Sequence, residues 1–203
     1  MENSFVVDQK ALISILSFMQ PICTKRTTLD ATNAILFHVG HKELTLKSTD
    51  LEISLQASCE IKDSSLVDPQ IFLVSGRRIF ELTKELDGKI TFTLTENQIH
   101  FQSGKSVNLA LNLKNPEDFP PFPERIENLM HIDATFMTEI LGKVSFLIPQ
   151  SNSNPALNGL LLEICNKELK MTTTDGHCLA QICSGKYKLD EEKKWLVPKR
   201  ANF

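Results

Sequence analysis

Asp175-Gly176-His177-Cys178 is the run in this 203-residue chain whose residue types could do covalent chemistry. A thiol nucleophile needs a base within hydrogen-bond reach and a third group to orient that base, and four consecutive residues hold a carboxylate, an imidazole and a thiol. Their spacing argues against that use. Neighbours along a strand point to opposite faces, so His177 and Cys178 would not meet if the segment is extended. The histidines His38, His41, His100, His131 and His177 show no HExxH spacing and no cysteine at zinc-site distance, so no metal is expected. His38 and His41 flank Gly40 and read as exposed ends of a hairpin turn. There is no GxGxxG or GK[ST] phosphate loop, so neither a catalytic residue nor a cofactor is expected. The basic residues Lys10, Lys25-Arg26, Arg77-Arg78, Lys143 and Lys199-Arg200 are open to two readings, solvated surface or phosphate contact.

The chain is long enough for one large or two ordinary domains, and 41% hydrophobic with 23% charged residues suits a globular protein. A net charge of -3 disfavours a tight electrostatic grip on DNA, but not a protein that surrounds DNA loosely. The start carries no basic region followed by an apolar core, and the apolar stretch Ala11 to Met19 is too short to span a bilayer. Five cysteines, odd in number and without a CxxC pair, read as reduced thiols in a cytoplasm.

The elements that position these residues are repeated. Asn33 to Asp50 (NAILFHVGHKELTLKSTD) recurs ungapped as Asn158 to Asp175 (NGLLLEICNKELKMTTTD), an offset of 125 residues with seven of eighteen positions identical. The same offset pairs Asp8 with Asp133, Ile15 with Ile140 and Leu16 with Leu141, so the chain contains a duplicated domain. A weaker repeat lies inside the first copy, where Ser4 to Ile15 aligns with Ile71 to Leu82 at an offset of 67. Each half reads as an apolar strand, a capping residue (Asp8 or Ser75) and an amphipathic helix. Leu12, Ile15, Leu16 and Met19 mark the first helix, Ile79, Leu82 and Leu86 the second.

Alternating strands follow. Ile90, Phe92 and Leu94, then Ile99 and Phe101, then Leu109, Leu111 and Leu113 form three apolar faces, with turns at Glu96-Asn97 and Ser103-Gly104-Lys105. One unit is therefore β-α-β-β-β, and a domain is two such units. The Pro-rich stretch Asn115 to Arg125 ends the first domain, giving boundaries of 1–125 and 126–203, with the second opening at Met130. Leu196 to Arg200 realigns with Leu73 to Arg77 at an offset of 123, placing Phe203 one turn into a second helix. Counterparts of Glu81 to Leu113 are missing, so the second domain reads as its N-terminal half, truncated.

On the strings LKSTDLEISL (46–55), FLVSGRRIFELTKEL (72–86), Asp118-Phe119-Pro120, LNGLLLE (157–163), TTDGHCLA (173–180) and LVPKRA (196–201), the chain resembles the β subunit of bacterial DNA polymerase III, the sliding clamp. The resemblance implies an α+β DNA-clamp fold of repeated β-α-β-β-β units, with helices on one face of antiparallel sheets. It implies a non-catalytic processivity factor, three domains per subunit, and a head-to-tail homodimer ring around duplex DNA without sequence reading. Its implied partners are DNA polymerase III and clamp-loader subunits, bound through linear peptide motifs, with no membrane involved.

Residue by residue, the resemblance places half of a partner-peptide pocket at Leu157, Thr174, Gly176, His177, Cys178 and Leu179. Cys178 stands where the family often carries Arg, and the third-domain half of the pocket has no counterpart here, so little peptide binding and no closed ring are expected of this chain. The implied DNA-facing residues are Lys25, Arg26, Arg77, Arg78, Ser151 and Asn154. Two alternatives stay open, a stand-alone interaction module of the same fold and a thiol hydrolase using Cys178.

Overall fold

Strand β1 (Asn3–Asp8) runs directly into helix α1 (Gln9–Cys23), and the switch is made at Asp8. Its carboxylate accepts the N–H groups of Lys10 and Ala11 at 3.0 and 3.2 Å, satisfying two donors that a helix start leaves unpaired. Leu12, Leu16 and Met19 are fully buried along one stripe with Ile15 packed beside them. Three strands follow, β2 (Ala34–Val39), β3 (Glu43–Thr49) and β4 (Ser54–Ser64). The pattern then repeats as β5 (Gln70–Ser75), α2 (Gly76–Lys84), β6 (Lys89–Leu94), β7 (Gln98–Ser103) and β8 (Val107–Asn112). The computed structural model describes residues 3–24, 29–104, 107–123 and 130–199, and the chain divides into two units, Met1–Glu124 and Arg125–Phe203.

In the first unit the strands form one antiparallel sheet in the order β5-β2-β3-β4-β1-β6-β7-β8. Both helices pack together against it, and the core lies between. Exchanging the two halves permutes this order cyclically, so it carries the two-fold logic of the internal repeat. The join is β1, paired on one edge with β4 and on the other with β6. Phe5 stacks on Phe92 at 5.0 Å, and Phe92 meets Phe101 edge-on at 5.1 Å, so the seam is also an aromatic cluster. At the far end β8 is laddered to β7 alone.

Ser75 occupies the cap position of α2, as expected, but its hydroxyl makes no capping bond. What fixes this helix start is closeness. A Cβ added at Gly76 would lie 2.7 Å from both Cβ and Sγ of Cys23 and 3.3 Å from the Asn33 carbonyl. Only a residue without a side chain lets α2 begin against the end of α1.

The second unit holds α3 (Ala134–Val144) and strands β9 (Gly159–Ile164), β10 (Leu169–Thr174), β11 (Leu179–Ser184) and β12 (Lys193–Pro198). Their order, β11-β10-β9-β12, reproduces β4-β3-β2-β5 of the first unit. Asp133 caps α3 by accepting the Phe136 N–H at 2.9 Å. Residues 130–133 precede the helix as β1 precedes α1, yet they form no strand. In the first unit that strand is held by the last residues of β4 and by β6. Here β11 stops at Ser184, short of the residues that would match the last part of β4. Met130 and Ile132 pack on the core instead, and the Asp133 N–H donates to the Tyr187 hydroxyl at 2.9 Å.

One polar pair under the helices separates the two copies. Thr173 is buried and its hydroxyl donates to the Val144 carbonyl at 2.7 Å. That carbonyl sits at the end of α3, where the Ile148 N–H turns to Ser145 instead. The matching residues are Ser48 and Met19, but α1 runs on to Cys23, so the Met19 carbonyl lies inside a continuing helix. Ser48 Oγ is left buried without a partner among the described residues. Thr173→Val is therefore expected to destabilise the second unit by about 1 kcal/mol, while Ser48→Ala is neutral or stabilising, read by urea unfolding.

Candidate functional site

Thr174 is the last residue of β10 and Leu179 the first of β11, and the two are direct partners across the hairpin. Between them Asp175 to Cys178 form a closed turn rather than an extended segment. The Asp175 carboxylate accepts the His177 and Cys178 N–H groups at 2.8 and 2.7 Å. The Thr174 hydroxyl accepts the Gly176 N–H at 3.1 Å and donates to the Cys178 carbonyl at 2.6 Å. Gly176 has φ of +95°, a conformation that glycine reaches without a Cβ penalty. Leu157 ends a short 3₁₀ turn (Pro155–Leu157), and a Cβ built at Gly176 would lie 3.9 Å from its Cδ1. Leu157, Thr174, Gly176 and Leu179 thus share one end of the sheet, with His177 and Cys178 exposed on the turn above them. Leu179 is 65% exposed, a large apolar side chain presented to solvent.

The first copy contains the same turn. Asp50 accepts the Glu52 and Ile53 N–H groups at 3.0 and 2.8 Å, and Thr49 accepts the Leu51 N–H at 3.1 Å. The shared geometry of the two copies is therefore a property of the repeat, and the candidate site departs from the first copy at the divergent residues. Thr32, Leu51 and Ser54 of the first copy stand opposite Leu157, Gly176 and Leu179 of the second. A buried hydroxyl bonded to the Leu29 carbonyl gives way to a half-buried leucine, and an exposed serine to an exposed leucine. Leu51 takes φ of +74° where the second copy has glycine, so the first turn is the strained one.

Accepting the Cys178 and His177 N–H groups holds the Asp175 carboxyl below its ordinary range. That carboxylate is occupied in closing the turn, which removes it as an orienting group for an imidazole. The extended segment on which His177 and Cys178 would point apart is thus a turn, and what stands against the thiol constellation is instead that this turn ties up the Asp175 carboxylate. Elsewhere, burial and the nearby Asp50 charge push the Cys23 thiol up to about 12, and burial with Asp8 and Glu43 pushes Cys59 up to about 11. Cys178 and Cys183 are the exposed thiols. Among the described residues no cluster of three His, Cys, Asp or Glu side chains could hold a metal ion, and no helix is long and apolar enough to cross a membrane.

Of the basic and polar residues proposed to face DNA, Arg77 and Arg78 lie on the exposed side of α2. Both pair with Glu81, at 2.8 and 3.6 Å, and the Arg77 guanidinium holds the Glu81 carboxyl below its ordinary range. Lys25 and Arg26 lie outside the described residues. Ser151 and Asn154 are exposed in the loop before Leu157, where Asn154 accepts the Ala156 N–H at 3.1 Å. The loop is organised by Asn158, which accepts the Asn152 N–H at 2.7 Å and donates to its carbonyl at 3.0 Å. Asn158 and Asp175 position the site, and their signal in the sequence is identity with Asn33 and Asp50 across the repeat.

Residues 3–123 match the family model of the DNA polymerase III beta subunit N-terminal domain, and residues 131–202 match that of its central domain. A beta sliding clamp of Pseudomonas putida is 26% identical over 202 residues, covering 97% of this chain and 54% of the relative. The chain thus spans about half the length of the curated relatives it matches. A crystal structure of a Pseudomonas aeruginosa sliding clamp bound to griselimycin superposes with a TM-score of 0.87 at 24% identity, covering 100% of this chain and 55% of that one. A Helicobacter pylori beta clamp bound to a DNA ligase peptide superposes with a TM-score of 0.83 at 20% identity, covering 98% and 57%. These likenesses show a DNA-clamp fold.

Two expectations follow from the paired turns. Gly176→Ala costs about 1 kcal/mol by forcing a Cβ into a left-handed turn, whereas Leu51→Gly, at an exposed position, is neutral to stabilising by up to about 1 kcal/mol. Denaturant unfolding of both variants checks the pair. A carboxyl with a depressed folded-state pKa stabilises at neutral pH and loses that contribution as pH falls through the depressed value. The His177 and Cys178 amide signals should accordingly titrate together below the ordinary aspartate range, and Asp175→Asn should abolish the transition, read by NMR.

Proposed function

The chain belongs to the family of DNA polymerase III beta subunits, and from that premise we propose that it serves DNA replication as part of a sliding clamp. The observation that carries this reading is the order of the two matches, N-terminal domain then central domain, on two units built from the same repeat. In this reading 1–125 is a first clamp domain and 126–203 the N-terminal half of a second. The parent ring is a homodimer that encircles duplex DNA in the cytoplasm and tethers the replicative polymerase. The chain does no chemistry of its own.

Arg77, Arg78, Ser151 and Asn154, together with Lys25 and Arg26, face the duplex and touch phosphate weakly. Weak contacts suit this work, because a strongly salt-dependent grip would oppose sliding. Leu157, Thr174, Gly176, His177, Cys178 and Leu179 form the central-domain half of a pocket for linear motifs of polymerase and clamp-loader subunits. The exposed Leu179, and Leu157 close to Gly176, support that use, since apolar side chains open to solvent suit the apolar anchors of a peptide. A Helicobacter pylori clamp has been crystallised with a DNA ligase peptide, which fits the same kind of partner.

The test is topological. A ring built with these residues stays on nicked circular duplex and leaves when the DNA is cut, while the 203 residues alone stay on neither. Tight, salt-dependent retention of the isolated chain on linear duplex would overturn the reading, and peptide binding without DNA retention by any assembly would favour a stand-alone module. By titration calorimetry the isolated chain should give no measurable heat with clamp-motif peptides. Micromolar binding abolished by Leu157→Trp would show the half-pocket to be sufficient.

A further inference from the structure

Strands β1 and β5 are equivalent in the internal repeat, but only β1 is laddered along both edges. Its β4-side edge ends at Ser4, whose carbonyl accepts the Ser65 N–H at 2.9 Å and whose N–H donates to the Ser65 hydroxyl at 3.0 Å. The residue of β5 that matches Ser4 is Ile71. On the corresponding edge β5 has one bridge, in which the Lys114 N–H donates to the Leu73 carbonyl at 2.8 Å. Backbone groups alternate in direction along a strand, so Ile71 points its N–H and C=O to the same side as Leu73. No protein group answers them among the described residues. The strand that would do so is cut short at Asn115, which caps the 3₁₀ turn Pro116–Asp118, and Pro116 has no N–H to offer a ladder.

The edge left open borders a cleft of about 480 Å³. Its walls include Ile71, Phe72, Leu94 and Leu113, with Asn3 and Glu96 at the polar side. Among the described residues Glu96 is the one charged residue lining it, and the Ile71 side chain is 54% exposed. We infer that this cleft is a docking slot for an extended peptide of a partner protein, which adds antiparallel to Ile71 as Ser65 does to Ser4. The peptide places an aliphatic side chain against Leu94 and Leu113 and a lysine or arginine toward Glu96. Main-chain pairing supplies affinity in this mode and the alternate side chains supply selectivity. The inference goes beyond the clamp reading and does not need it, because every residue involved belongs to the first unit.

The internal repeat also supplies the probe. Residues 60–67 fill the equivalent edge, so an acetylated, amidated octapeptide of that sequence carrying E60K and D63K is titrated into the ¹⁵N-labelled full chain. Amide shifts should be confined to Ile71, Leu94 to Glu96 and Leu113. Glu96→Lys, at an exposed position, should weaken binding by about tenfold and restore preference for the unmodified acidic octapeptide. Ile71→Pro, which removes the outward donor, should abolish the shifts in a variant whose remaining spectrum is unchanged. Three results would overturn the proposal. The first is no shift at millimolar peptide, and the second is shifts centred on β8 or on the second unit. The third is the same shifts on raising protein concentration without peptide, which would make a second copy the occupant.

Discussion

The double pairing of β1 is the constraint on which the first unit depends. A β-α-β-β-β half has a helix with one apolar stripe and a sheet with one apolar face, and it cannot enclose both by itself. β1 joins the halves by laddering to β4 on one side and β6 on the other, and it places Phe5 against Phe92 at the centre of the shared core. β4 runs for eleven residues because it serves two partners, β3 through its first part and β1 through its last. The seam also sets the helices. α1 starts from the last residue of β1, and its end at Cys23 is the surface against which Gly76 lets α2 begin. Register in the sheet and helix placement are therefore one decision, made where β1 lies.

Much of this was legible in the residues because it is local or periodic. The 125-residue repeat, the Asp8 and Asp133 caps and the alternating faces of β6, β7 and β8 each follow from side-chain types at fixed spacing. What the sequence concealed is non-local. Ser75 sits in the cap position, but capping depends on whether its hydroxyl reaches an N–H, and it does not. That the Asp175 carboxylate closes the turn around Gly176 depends on its reaching two N–H groups, which residue types alone do not show. The strand expected before α3 is lost because β propensity does not hold a strand without its ladders. Lys25 and Arg26, which the resemblance set against DNA, lie outside the described residues.

The candidate peptide site illustrates how function is placed on a repeat without rebuilding it. Both copies keep the Thr-Asp pair that closes the hairpin, and both turns need a residue in the left-handed region. In the first copy the surrounding positions serve packing, with Thr32 buried and bonded to the Leu29 carbonyl. In the second, Leu157, Gly176 and Leu179 replace them, trading a satisfied hydroxyl and a strained leucine for an apolar shelf beside a permissive glycine. Asp175 has no freedom to act as a base there, since its two accepted N–H groups hold the shelf in shape. The carboxylate that would have to orient an imidazole is instead bonded to the His177 and Cys178 N–H groups.

Repetition also decides where the molecule is left open. When a strand paired on both edges in one half recurs in the other, its second edge must find a new partner or remain exposed. The first unit resolves this differently at its two ends. β8 presents along its outer side an edge that no other described strand pairs. β5 is closed at Leu73 by a single bridge and open at Ile71, because the proline after Asn115 turns the chain away before the ladder can zip. A full edge suits permanent assembly, since many backbone bonds form together. A half-edge beside a cleft with one carboxylate suits brief occupation by a short strand, since few bonds form and an ion pair must help select the occupant. The same duplication thus yields both kinds of edge within one domain, the β5 edge alone carrying a bridge, at Leu73, before the chain turns off at Pro116.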